Sequence, residues 1–142
     1  MLNAPECALD DLLRVHESRQ ALAARAAYSL LRISAAVPPD HRTVVGAADA
    51  GQRAGAWLAA ASTNPGRWTN RAVLTAELAE LDVLLVDLRT HLVVVLDWLN
   101  VHLGTQVARA GRPETIRVPR TLFAECKALV EDLTDLAPAA AA

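Results

Sequence analysis

The sequence predicts an all-α protein, a four-helix up-down bundle with long helices 1 and 3 and shorter helices 2 and 4. Three observations predict it. First, the segment from Asn70 to Leu103 carries Leu78, Leu81, Leu85, Leu88, Leu92, Val95 and Leu99 at alternating spacings of three and four, and the series ends on His102. With about 3.6 residues per turn, a helix gathers this leucine heptad into one stripe. Second, the hydrophobic share of 53% is rich in alanine and leucine while aromatics are only 4%, and Ala, Leu, Arg and Glu are strong helix formers. Third, proline and turn clusters cut the chain into four helical stretches, and no stretch alternates with the period of a strand.

Helix 1 is expected from Glu6 to Ala36, with an apolar face of Leu9, Leu12, Val15, Ala23, Ala26, Ala27, Leu30 and Ile33. It stops ahead of Pro38-Pro39, because proline drives the preceding residue out of helical geometry. Helix 2 starts at Pro39-Asp40, where proline suits a first turn, and ends near Ala61. Its face reads Val44, Ala48, Gly51, Gly55, Leu58. Glycine inside a helix costs about 1 kcal/mol, so Gly46, Gly51 and Gly55 imply that a neighbouring backbone comes close. The Asn64-Pro65-Gly66 turn follows, and Thr69 or Asn70 caps helix 3. Gly104 breaks that helix. An arginine-rich linker leads to Pro119, which opens helix 4, running to about Leu136 on the stripe Leu122, Cys126, Leu129, Val130, Leu133. Residues 1–136 then form one domain, and 137–142 a disordered Ala/Pro tail.

Length and pattern together point to assembly. Helices 1 and 3, of about 31 and 34 residues, reach roughly 45–50 Å, and the other two only about 30 Å. Helix 3 also has a second apolar stripe, Val83, Val86, Val93, Val94 and Val101, nearly opposite the first. Its own chain is too short to cover both, and a large uncovered apolar patch marks an interface. The expectation is a homo-oligomer, most simply a two-fold dimer, with contacts from Leu78, Leu85, Leu92, Leu99, His102 and the turn residue Trp68.

Candidate chemistry is sparse. Helix 3 carries a polar seam of Glu80, Asp87, His91 and His102. His16 and Arg19 interrupt the apolar stripe of helix 1, and a buried arginine needs a carboxylate. The mid-helix positions of Arg19 and Asp87 predict a midplane cluster of His16, Arg19, Asp87 and His91, read as a buried ion pair or as a small-ligand or metal pocket. Arg109, Arg112, Arg117 and Arg120, opposed by Glu114, offer an alternative reading as a nucleic-acid contact, though no aromatic residue interleaves them.

Other classes are set aside by pattern. The net charge is −2, so no global field draws in nucleic acid or anionic lipid. Asp87, Arg89 and Asp97 interrupt the most apolar window, which argues against a membrane span. Cys7 and Cys126 are isolated and read as reduced thiols of a cytoplasmic protein. Phosphate loops, nucleophile elbows and zinc-protease signatures are missing. The sequence therefore predicts a non-enzymatic, self-associating scaffold or adaptor with no cofactor and no metal site.

Overall fold

The leucine series lies on α3 (Arg71–His102), and the bundle is built around it. In the computed structural model the described residues are 4–38, 41–64, 69–109 and 111–136, with the side chains of all but 4–8, 42–45 and 109. Asn70 caps α3, its side-chain oxygen accepting from the backbone N–H groups of Ala72 and Val73 at 3.0 and 3.3 Å. At the other end the Leu103 N–H donates to the Leu99 carbonyl, and Gly104 takes φ +79°. That left-handed geometry suits glycine and stops the helix where the sequence places the break.

The other helices are α1 (Ala4–Ser34), α2 (Arg42–Ala61) and α4 (Arg120–Thr134). The two long helices run parallel and pack directly on each other: His16 of α1 meets Glu77 near the start of α3. The short helices run back the other way, each against both long ones. Along α2, Arg53 lies by Asp87 and Trp57 by Glu80. Along α4, Phe123 lies by Leu96 and Asn100, while Thr134 meets Arg89. The arrangement is the up-down bundle that the sequence predicts.

The core runs the length of α3. Leu81, Leu88, Leu92, Val95 and Leu99 are wholly buried in one cluster with Ala23, Ala26, Leu30 and Ile33 of α1 and Leu129 of α4, and Leu74 is wholly buried nearer the start of the helix. The inward face of α2 shares Gly51 with the expected one and keeps Ala48 and Leu58 half-buried, while the side chain of Val44 lies outside the described residues. The helix buries Ala47, Ala50, Gly51, Ala54 and Ala61, while Gly55 is exposed. Of its glycines, Gly51 is the closely approached one: a Cβ there would stand 2.8 Å from Leu31 Cγ and 3.2 Å from the Ala27 carbonyl oxygen. A Cβ at Gly55 would meet nothing within 4 Å.

The arginine-rich linker, where the sequence shows no strand period, holds an antiparallel hairpin of β1 (Gln106–Arg109) and β2 (Arg112–Thr115), with Gln106 opposite Thr115 and Arg109 opposite Arg112. Strands of four residues are too short to show an alternating pattern. The hairpin is set by its ends instead. At its base the Gly104 N–H donates to the Ile116 carbonyl and the Ile116 N–H to the Thr105 carbonyl, both at 2.9 Å. At its tip Gly111 takes φ +77°. Pro113 is tolerated because a two-stranded sheet consists of edges. Buried Ile116, with half-buried Val107 and Val118, packs the hairpin onto the end of the core. The tail expected at 137–142 lies outside the described residues.

Cys126 sits in the core as expected, wholly buried, with Sγ 3.9 Å from the Ser29 carbonyl. Burial, helped by Glu125 and opposed by Arg32, pushes its thiol up from 9.0 to about 11. The folded chain thus holds this proton more tightly than the unfolded one. The resulting stabilisation, about 2–3 kcal/mol, is complete below the unfolded value and disappears as pH rises through the folded one. Urea unfolding between about pH 8 and 11 should show wild type losing stability faster than Cys126→Ala; parallel pH profiles would contradict the assignment.

Candidate functional site

Two surfaces of α3 are left after the core is assigned. The first is its outer face. Ala72, Ala76, Ala79, Val83, Val86, Thr90, Val94, Asp97 and Val101 follow one another at spacings of three and four, and all are exposed. Val83, Val86 and Val101 expose 71%, 65% and 72% of their surface, and Val94 37%. Isolated exposed valines are ordinary, whereas an exposed line at helical spacing that is apolar at all positions but Thr90 and Asp97 is the seam pattern of paired helices.

This corrects the expected interface. Leu78, Leu85, Leu92 and Leu99 are buried in the chain's own core, at 0–3% exposure, and cannot meet a partner without unfolding. The physical reason is size: a leucine stripe removes more apolar area from water per residue than one of alanine and valine. The short helices also do not leave α3 bare at its ends, as length alone suggested; they leave it bare down one side. Trp68 lies outside the described residues.

The second surface is the polar seam along α2. Trp57 Nε1 donates to Glu80 at 3.0 Å, and Arg53 approaches Asp87 at 3.8 Å and bonds Asp49 at 2.9 Å. His91 Nδ1 donates to the Asp87 carbonyl at 2.9 Å and lies 3.4 Å from its carboxylate. His91 Nε2 faces Gly46, where a Cβ would stand 3.5 Å away. Further on, His102 Nδ1 donates to the Trp98 carbonyl at 2.9 Å and its ring stacks on Trp98 at 4.2 Å, while His41 meets the same indole edge-on at 4.9 Å. A carbonyl can only accept, so both α3 histidines carry hydrogen on Nδ1 in these bonds. His102, expected at an interface, instead closes an aromatic stack where the chain returns from α1 to α2.

The predicted midplane cluster does not assemble. His16 pairs with Glu77, its Nε2 donating at 2.8 Å to Oε1, while the Asn64 amide donates to Oε2 at 3.0 Å. His16 is wholly buried, Glu77 is 6% exposed, and His16 Nδ1 has no hydrogen-bond partner among the described residues. Arg19 instead lines a cleft of about 60 Å³ with Asp82, Leu85, Val86, Arg89, Leu133 and Leu136, on the α4 side of α3. Asp87 and His91 face α2. Matching axial level was not enough, because the two sides of α3 face different helices. Sequence reasoning missed Glu77, although the signal was there: it falls three residues after Leu74 and four before Leu81, in the register of the buried stripe.

The arginines do not converge either. Arg112, Arg117 and Arg120 are exposed on and after the hairpin, and the side chain of Arg109 lies outside the described residues. Among the described residues, no group of three or more His, Cys, Asp or Glu side chains is placed to hold a metal ion. Among the described residues, no helix is long and apolar enough to cross a membrane.

No family model, curated protein or solved structure matches the chain. The functional reading therefore rests on the physical character of the two surfaces. The seam is spent internally, on bonds between α2 and α3. The outer face of α3 makes no such use of its apolar side chains.

Proposed function

We propose that the protein works by self-association, as a non-enzymatic scaffold or adaptor within a larger assembly, with the outer face of α3 as its contact surface. The observation that carries this reading is the unbroken exposed line from Ala72 to Val101. A helix apolar on both sides is stable in water when both sides are covered, and the chain covers one. A two-fold dimer is the simplest closed solution, since one face then covers its own copy. The reading places the protein in the cytoplasm, in keeping with the free thiol of Cys126 and the rarity of disulfides there.

Sedimentation equilibrium tests it. Wild type at tens of micromolar is expected to be a dimer or larger. The double variant Val83→Lys/Val86→Lys should be monomeric with an unchanged helical circular dichroism spectrum, because two cations would be desolvated at the centre of the seam. A wild-type monomer would overturn the proposal.

A further inference from the structure

We infer that the occupant of the outer face of α3 is a second copy of the chain laid antiparallel, head to tail, about a two-fold axis at the level of Val86. The inference rests on the self-association reading and adds the geometry.

Three independent observations select the antiparallel arrangement. The first is a taper. The seam is built of alanine at its N-terminal end (Ala72, Ala76, Ala79) and of valine toward its C-terminal end (Val94, Val101). Full overlap of the seam on its own copy puts the axis at its midpoint, between Val86 and Asp87. Ala72 then faces Val101, Ala79 faces Val94, and Val83 faces Thr90. Small against large keeps the helix separation even along the seam, as close packing requires. A parallel pair would set alanine on alanine and valine on valine, which splays the helices at one end and leaves a gap at the other.

The second observation is Asp97, the one charged residue of the exposed seam. In a parallel pair it meets its own copy across the interface, and like charges held close and partly desolvated repel strongly. In the antiparallel pair it faces Ala76, and the two carboxylates are roughly 30 Å apart at about 1.5 Å per residue.

The third is the charge layout of the whole bundle. The end formed by the starts of α1 and α3 and the finish of α4 exposes Asp10, Asp11, Glu131, Asp132 and Asp135 against Arg14 and Arg71, with Arg14 lying 3.7 Å from Asp11, so acids prevail there. The opposite end exposes Arg32, Arg112, Arg117 and Arg120 against Glu114, so bases prevail. Side-by-side antiparallel packing sets the acidic end of one copy beside the basic end of the other, and it opposes the α3 helix dipoles. Parallel packing sets like beside like.

Disulfide mapping distinguishes the arrangements. In a Cys7→Ser background, with Cys126 kept in the core, Ala72→Cys and Val101→Cys are prepared separately with tags of different size. Each is oxidised mildly, alone and in an equimolar mixture, while light scattering follows the oligomeric state. A disulfide needs Cα atoms within about 7 Å, and like positions at either end of the seam lie roughly 43 Å apart in the antiparallel pair. The expected result is a cross-linked species of mixed size from the mixture and none from either variant alone. Val101→Cys cross-linking to itself would overturn the geometry in favour of a parallel pair and leave self-association standing. A dimer by light scattering with no cross-link in any tube would also overturn the geometry alone. Monomers throughout would overturn both.

Discussion

Glu77→Ala is expected to destabilise the fold by about 3–5 kcal/mol, as breaking one side of a buried pair does. The size follows from what Glu77 holds. Its two oxygens accept from His16 of α1 and from Asn64 in the connection after α2, so one side chain of α3 ties three parts of the chain. His16 is wholly buried. Removing its acceptor strands a polar ring in an apolar core, and the cost is that of the unmet donor rather than of the lost bond alone. The same logic predicts that the pair is replaceable as a unit. His16→Leu/Glu77→Leu fills similar volume without polar atoms and relieves the Nδ1 of His16, which has no hydrogen-bond partner among the described residues. It should regain most of the loss and can exceed wild type. Urea unfolding of wild type, Glu77→Ala, His16→Leu, Glu77→Leu and the double variant, at one protein concentration, gives the coupling directly. A cost below about 1 kcal/mol for Glu77→Ala would show that the pair contributes little.

Gly51 and Gly55 lie one helical turn apart on α2 and should respond in opposite directions. Gly51→Leu is expected to cost about 3 kcal/mol or more, the upper part of the range for overpacking. The added side chain has to displace Leu31 and then the backbone carbonyl of Ala27, and a carbonyl fixed in a helix does not yield as a side chain tip does. Gly55→Ala is expected to stabilise by about 0.5–1 kcal/mol, because the space is open and alanine is the better helix former. Thermal unfolding of the two variants beside wild type decides it. Gly51→Leu as stable as wild type would show that α1 and α2 are not in close approach at Gly51.

The comparison of sequence and structure turns on which side chains carry a signal. The boundaries of α3 were legible because Asn70 and Gly104 are chemically distinct and the leucines between them are large. The inward face of α2 was not. Its candidates are alanines and glycines, which differ too little in hydrophobicity to fix the helix's rotation, so the approach of α1 decides it and Ala47 and Ala50 turn inward. The hairpin was illegible for another reason. Gln106–Arg109 and Arg112–Thr115 are too short to be periodic, and their pairing depends on the distant link between Gly104 and Ile116. For the outer face of α3, two apolar stripes were readable but not which one the chain would keep for itself. That choice belongs to α1 and α4, whose Leu30, Ile33 and Leu129 complete the leucine side. The misplaced pairing of Arg19 has the same origin. Periodicity along one helix gives a direction, but the neighbour in that direction is set by the packing of all four.

The parallel pairing of α1 and α3 also bears on how the chain can fold. His16 and Glu77 are 61 residues apart, and parallel neighbours cannot be joined by a tight turn. Bringing them together from an open coil closes a long loop, at an entropic cost that rises with the logarithm of its length. α2 changes that starting point. Once helical, its 20 residues form a strut of about 30 Å that retraces α1 and delivers the start of α3 to the start of α1. In kinetic terms this thin, alanine-faced helix is the return path that makes the central pairing accessible.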